Sequence, residues 1–420
     1  MWVKNVFKDP ATGRYDSHLV LFFLNVFLVV VGYGLRGAAF QATKLGRMGL
    51  VAVALVALFA RPGAYRFVFR GDKSWVLWVF ILVNLLVLAF SVDFLKSAAR
   101  IAAWLPFLVY INYFIVYLFR KYDKETARYK LLQLFSLAYL YPLALLFVYA
   151  NPVVNRNIYG RVISGYFSNV LGWAAIVSFV LAVDVLNNLA PVKRYRFFLV
   201  GVVGLSLLTL LTTGSRSSYL CLVVSVVVLV VNSKRMGAAA KLLILIGVTG
   251  ATYVMLADPD SALNNRIRKS EQQLQQGESR FEMAEMALET MTQRPGLLIT
   301  GFGYDNFREG ISYYRGITLD LPSHNSYLEL FITTGFFSFI LFLVFLVLNG
   351  IGLYLAYDVR KFVFFPTFMI IPFFESNLNA GQFLFFPWMT FMFYYLHRQS
   401  WQIPVPAPPV PSAGGQSVTV

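Results

Sequence analysis

Three residues of this 420-residue chain combine type and position in a way that allows chemistry: Arg216, Arg280 and His324. Arg216 stands in Leu-Thr-Thr-Gly-Ser215-Arg216-Ser-Ser-Tyr, a very short turn between two apolar runs. A guanidinium held there either snorkels to lipid phosphate or clamps an anion, and Gly214 with the flanking serine hydroxyls offers further donors. Arg280 follows Ser279, and Ser279 with Glu282 three residues later forms a capping box. The pattern predicts a helix from here to about Gln293, where Arg294-Pro295-Gly296 stops it. A cation in the first turn opposes the helix dipole, at about 0.3–1 kcal/mol when exposed. Arg280 is therefore either solvated or turned to an anion bound by the free N–H groups of that helix end.

His324 lies in Pro322-Ser323-His324-Asn325, directly ahead of a long apolar run. The order predicts a helix capped by Ser323 with His324 in its first turn. A helix N-terminus and neighbouring arginines disfavour an imidazolium, which leaves a neutral imidazole able to act as a base. The alternative is an interfacial anchor, and His18 and His397, at the edges of the first and last spans, read that way.

Other chemistries find little support. Thr300-Gly301-Phe302-Gly303-Tyr304-Asp305-Asn306 lacks the third glycine and the strand-turn-helix setting of a nucleotide loop, and reads as a tight turn against the membrane. The acids and histidines have no metal-ligand spacing, so neither a metal nor another cofactor is expected. Cys221 is alone in an apolar run and can form no intrachain disulfide.

The elements that must position these groups are membrane helices. With 58% hydrophobic and 13% charged residues, the chain has too little polar surface for a soluble globule of its size. Apolar runs recur from Leu19, Trp75, Ile101, Leu131, Val170, Phe197, Tyr219, Leu242, Leu328 and Phe362, with weaker ones from Gly49 and Phe383. The expected fold is an all-α polytopic membrane protein of about twelve spans, because only elements that satisfy their own backbone can cross lipid without closing a barrel. Residues 1–256 hold spans one to nine, 257–326 form one large, partly helical loop before the third-last span, 327–398 hold the last three spans, and 399–420 read as a disordered tail. In the loop helix, Phe281, Ala284, Leu288 and Met291 fall at helical spacing and predict one apolar face against the membrane domain.

More than half of the 36 Lys and Arg crowd the two ends and alternate short loops, such as Arg61 to Lys73 and Arg120 to Lys130. By the positive-inside rule both termini are cytoplasmic and the long loop faces the periplasm of a bacterial inner membrane. The net charge of +16 is then mostly orientation signal beside anionic lipid, which argues against nucleic acid as a partner. The loop itself runs acidic, ten acids to seven bases, so its arginines are selectively placed. Within the spans, asparagines such as Asn84, Asn112 and Asn169 read as helix-to-helix hydrogen-bond partners. Asp184 reads as an interfacial carboxylate within reach of Lys193. No chain of acids crosses the spans, which argues against an ion-driven transporter.

The loop with Gly301-Phe-Gly followed by His324-Asn325-Ser-Tyr-Leu-Glu, ahead of a span containing Gly335, resembles the signature region of the O-antigen ligase and polymerase superfamily. The Thr-Gly-Ser-Arg216-Ser turn is similar to that superfamily's arginine site. The resemblance implies a glycosyltransferase that moves an O-antigen glycan from undecaprenyl diphosphate to a sugar hydroxyl of lipid A-core oligosaccharide. It implies Arg216 and Arg280 on the diphosphate and His324 as general base. Ser215, Asn325, Arg308 and Arg315 complete the candidate substrate-binding set. The nearest alternative is an O-antigen polymerase using the same donor, and a more distant one is a flippase for lipid-linked glycans.

Overall fold

Thirteen α-helices and no strand form among the residues that the computed structural model describes, which are 6–9, 12–34, 38–60, 75–149, 168–188, 193–213, 215–232, 237–257, 280–317, 325–355 and 389–390. They are α1 (Ser17–Gly34), α2 (Ala38–Phe59), α3 (Trp75–Val87, continued by a 3-10 turn), α4 (Phe94–Lys121), α5 (Lys124–Tyr149), α6 (Ser168–Asn188) and α7 (Lys193–Thr213). There follow α8 (Arg216–Asn232), α9 (Ala238–Ala257), the three loop helices α10 (Arg280–Gln293), α11 (Gly296–Thr300) and α12 (Phe307–Arg315), and the long α13 (Ser326–Leu355). Ten expected apolar runs fall on α1 to α9 and α13, and the runs from Phe362 and Phe383 lie outside the described residues.

The bundle is built around α6. From Leu171 to Ala182 every residue is buried, the signature of a helix that is apolar all round and surrounded by others. It packs against α5, α7 and α8, while α1 pairs with α2 and α5. Aromatic rings tie the layers together, as where Phe22 of α1 stacks on Phe114 of α4 with centroids 3.9 Å apart. The exterior is apolar as well: Leu82, Leu85 and Leu86 on α3, Leu242, Leu243 and Ile246 on α9, and Phe336 and Phe337 on α13 are all exposed. A surface of that kind fits lipid rather than water. Among the described residues, Phe94–Lys121 and Ser326–Asn349 are long and apolar enough to cross a membrane.

Some charges expected to mark loops are buried in the fold instead. Arg128 and Asp184 are both about 1% exposed and pair with each other across α5 and α6, so Asp184 is turned into the bundle rather than to the interface, and the Lys193 side chain lies outside the described residues. The sequence separates them by 56 positions, and no local pattern links them. Lys130 donates to the carbonyls of Val6 and Lys8, and Asp16 accepts from Lys121, Tyr117 and Tyr122. Together these bonds fasten the amino-terminal segment to α4 and α5. Asn84 donates to Phe80 within its own helix at 2.7 Å, not to a neighbouring one.

Candidate active site

Three helix N-termini carry the residues singled out by their chemistry. Arg216 is the first residue of α8, Arg280 the first of α10, and His324 precedes the start of α13 by two positions. The side chains of Arg216 and Arg280 and the whole of His324 lie outside the described residues. What can be traced is how the backbone that bears them is held.

At α8 the carbonyl of Ser215 accepts the first intrahelical bond, from Tyr219 N–H at 2.9 Å. The Ser215 hydroxyl is buried and lies 2.9 Å from that of Ser218, and Trp173 Nε1 donates to Ser217 at 3.4 Å. Gly172 of α6 makes the approach possible, since a Cβ there would stand 2.7 Å from both the Ser215 Cβ and the Ser218 hydroxyl. The turn is thus clamped on the central helix, and Ser215 serves that clamp.

Helix α10 spans Arg280–Gln293, as the capping box and the Arg-Pro-Gly stop predict. Its buried face differs from the expected one. Met283, Ala287, Thr290 and Met291 point inward, whereas Leu288 is exposed. Thr290 hides among apolar neighbours because its hydroxyl donates back to the Met286 carbonyl at 2.7 Å. This face packs with Leu297, Phe302, Phe307, Ile311 and Ile332, so the loop has an apolar core of its own that reaches onto α13. Arg315 of α12 closes it, donating to Thr290 Oγ1 at 2.9 Å and to Glu289 at 2.7 Å. Arg294 lies 4.8 Å over the Tyr314 ring. Arg315 is therefore engaged inside the loop, while Arg308 is exposed.

Helix α13 begins at Ser326, and its cap is Asn325 rather than Ser323. The Asn325 Oδ1 accepts from Tyr327 N–H at 3.1 Å and Leu328 N–H at 3.0 Å, and its carbonyl accepts from Glu329 N–H. A side-chain carbonyl reaches the second and third amides from the cap position, which Ser323 is too far upstream to do. The expected place of His324 in the first turn lies outside the described residues. Beside Asn325 opens an apolar cavity of about 430 Å³, lined by Tyr327, Leu328, Phe331, Phe336 and Phe339.

The cavity spans a break in α13. Gly335 has φ 77° and ψ 175°, far from helical, and splits the element into a short limb, 326–334, and a long one. The break deprives carbonyls of the short limb of their usual donors, and the Gly301-Phe302-Gly303 segment replaces them. Phe302 N–H donates to Ile332 O at 3.0 Å and Gly303 N–H to Thr333 O at 2.8 Å. Gly301 (φ 65°) and Gly335 touch backbone to backbone, and a Cβ on Gly335 would stand 2.1 Å from the Ile299 carbonyl oxygen.

The same segment is pinned on its other side. Buried Asn306 donates to Ser91 Oγ at 2.8 Å, Asp93 O at 3.0 Å and Ser97 Oγ at 3.0 Å, and Ser97 donates to Tyr304 O. Asp305, at φ 63°, presents its carboxylate to Arg100 at 2.7 Å, and Lys96 pairs with Glu309 at 2.6 Å. Burial pushes the Asp305 carboxyl up, against the pull of Arg100 and Lys96. These residues of the 91–100 stretch were missed in the sequence. The available signal was Asp93, an N-cap for α4 whose Oδ1 accepts from Lys96 N–H at 2.9 Å.

Arg216, Arg280 and His324 all fall within a single stretch that a family model recognises. Residues 200–343 match the O-antigen ligase family. The matched segment runs from within α7 to within α13 and takes in all three helix starts, the loop helices and the Gly335 break. The resemblance to the O-antigen ligase and polymerase superfamily, drawn from motifs, is supported by this match over about a third of the chain. The segment supports an enzyme of O-antigen ligase or polymerase type, acting in lipopolysaccharide assembly on lipid-linked glycan, and the apolar helices fit a membrane protein. No curated protein matches the chain significantly.

Proposed function

We propose that the chain is an O-antigen ligase, which transfers a glycan from undecaprenyl diphosphate to a sugar hydroxyl of lipid A-core oligosaccharide at the periplasmic face of a bacterial inner membrane. The observation that carries this reading is that three helix starts inside the O-antigen ligase segment bear or adjoin Arg216, Arg280 and His324. The starts of α8 and α10 each present the positive end of a helix dipole, which favours an anion, whereas Asn325 takes two of the amides at the start of α13. The apolar cavity beside Asn325, the residue that follows His324 in the sequence, offers a lipid-borne donor a surface.

In the reaction the acceptor hydroxyl oxygen attacks the anomeric carbon and the bond from that carbon to the diphosphate oxygen breaks. His324 takes the hydroxyl proton, and the departing diphosphate carries away the bonding pair. A diphosphate leaves without protonation, so the demand on the protein is to meet growing negative charge. Arg216 and Arg280 suit it, because a guanidinium stays charged and grips phosphate by a rigid fork. Attack opposite the leaving group inverts the anomeric carbon, and the two cations make a metal unnecessary.

The test is transfer by purified protein from a synthetic polyprenyl-diphosphate glycan to lipid A-core, together with the glycolipid pattern of a deletion strain. Bare core with accumulated lipid-linked polymer is expected. Core bearing one repeat would make the chain a polymerase. Movement of labelled lipid across liposomes with no glycosidic bond formed would make it a flippase.

A further inference from the structure

The last turn of α12 brings aromatic rings and charged groups together on the outside of the loop. Ile311 is buried, and Tyr313 projects about 200° further round the helix, on the opposite side. Tyr313 is 71% exposed, so packing in the loop core does not account for an aromatic residue there. Its ring is nonetheless held. It stands nearly perpendicular to the Tyr314 ring, with centroids 4.9 Å apart. Tyr314 is fixed in turn by Phe302, centroid to centroid at 5.6 Å, and by the Arg294 guanidinium 4.8 Å over its ring. Next in the chain, Arg315 brings the exposed Glu289 carboxylate of α10 to 2.7 Å from its own guanidinium. Glu285, also exposed, lies one turn back along α10.

We infer that this turn is a stacking platform for a pyranose ring of a glycan substrate, with Tyr313 against the face of the sugar and Glu289 and Arg315 at its hydroxyls. The inference rests on the proposed function for its ligand. A pyranose carries C–H bonds on a face and hydroxyls around its rim. The C–H face buries against an aromatic ring as an apolar ligand does, and a ring already fixed by its neighbour loses little freedom on binding. A carboxylate has several lone-pair sites and a guanidinium several N–H groups, so Glu289 and Arg315 keep capacity for hydroxyls beyond the bond they share. A bilayer is the other apolar partner such a ring could meet, and interfacial anchors set aromatic residues beside Lys and Arg. Here Arg294 is turned to Tyr314 and Arg315 to Glu289, while Glu285 adds negative charge, a setting that suits hydroxyls better than headgroups.

The experiment measures transfer in phosphatidylcholine nanodiscs for wild type, Tyr313→Ala and Tyr313→Phe. Donors carry a single sugar or several repeats on polyprenyl diphosphate, and lipid A acceptors carry full or truncated core. Tyr313→Ala should raise KM about tenfold for the substrate whose sugar lies on the ring, and Tyr313→Phe should restore it, because stacking needs the ring and not the hydroxyl. A rise confined to the long donor assigns the platform to the donor glycan, and one confined to full core assigns it to the acceptor. Unchanged KM values with every substrate would overturn the platform while leaving the transfer reaction standing. An equal rise with every substrate, shared by Tyr313→Phe, would mark a structural role and overturn it too. Absence of all transfer by wild type would count against the proposed function, and binding then decides the platform. Saturation-transfer NMR with oligosaccharide released from the donor lipid, or with free core, should show sugar C–H signals for wild type that Tyr313→Ala loses, and no signal with either in wild type overturns it. Quenching of Tyr313→Trp fluorescence by brominated phosphatidylcholine, beyond that of wild type, would make the residue a lipid anchor and overturn the glycan assignment.

Discussion

The N–H of Phe302 donates to the carbonyl of Ile332 at 3.0 Å, so a residue of the loop completes the hydrogen bonding of a broken helix. The break depends on Gly335, whose φ of 77° and contact with Ile299 leave no space for a side chain. Gly335→Ala should abolish transfer and lower stability by at least about 2 kcal/mol, from backbone strain with a clash added. Gly316→Ala is the control: it has a similar φ of 67° and open space around it, and should cost only about 1 kcal/mol. Thermal unfolding of both variants in detergent compares them, and equal shifts would show that the contact is immaterial.

Arg216→Lys and Arg280→Lys should each lower transfer about 100-fold or more, the usual effect of losing a donor to developing charge. His324→Ala should lower it by about 10² to 10⁴. Each variant is checked for folding by gel filtration before its rate is read. If both lysine variants transfer normally, the diphosphate is not held by a guanidinium fork.

The Arg128–Asp184 pair predicts a stability pattern of its own. Arg128→Leu leaves the buried Asp184 carboxylate without its guanidinium and should cost about 3–5 kcal/mol. Adding Asp184→Leu should recover most of that loss, since paired apolar replacements in buried sites are often neutral. Unfolding midpoints of the two single variants and the double variant form the cycle. A double variant as unstable as Arg128→Leu would refute the pairing as its cause.

Asp16 gives a dependence on pH. Burial would raise its carboxyl, but bonds from Lys121, Tyr122 and Tyr117 outweigh burial and hold it below the usual carboxylate range. With the folded value depressed, the unfolded chain takes up the proton first as pH falls. The stabilisation is complete above the ordinary value of about 3.9 and fades as pH falls through the lower folded one. The midpoint of Asp16→Asn should therefore lie below wild type at neutral pH, with the gap steady down to about pH 5 and closing below about pH 4. A gap that widens in acid would reverse the sign and remove the argument.

Helix boundaries at the site were legible wherever a local code exists. Ser279, Glu282 and the Arg-Pro-Gly stop are a complete set of end signals, and α10 has the bounds they predict. The face of α10 was not legible, because Thr290 satisfies its own hydroxyl and joins the apolar side while Leu288 does not. At α13 two cap-forming residues, Ser323 and Asn325, flank His324, and the geometry favours Asn325. The least legible features join distant positions. Asn306 reaches Ser97 across 209 residues, and Arg128 reaches Asp184 in a helix whose sequence offers no counterpart signal. Charges near span ends read as topology marks, and only packing reveals that Arg128 and Lys130 are turned inward.

The junction between Gly301-Phe302-Gly303 and Gly335 also limits how such chains can be recombined. A chimera that swaps the loop at the start of α13 would place donor amides from one parent opposite acceptor carbonyls from another. The exchange unit is instead 280–335, cut upstream of α10 and beyond the broken turn, together with the 91–100 stretch that holds Asn306 and Asp305. A single insertion between Thr300 and Gly303 would shift every donor out of register. Hybrids that cross over within 280–335, or that exchange it without 91–100, should accordingly lose transfer.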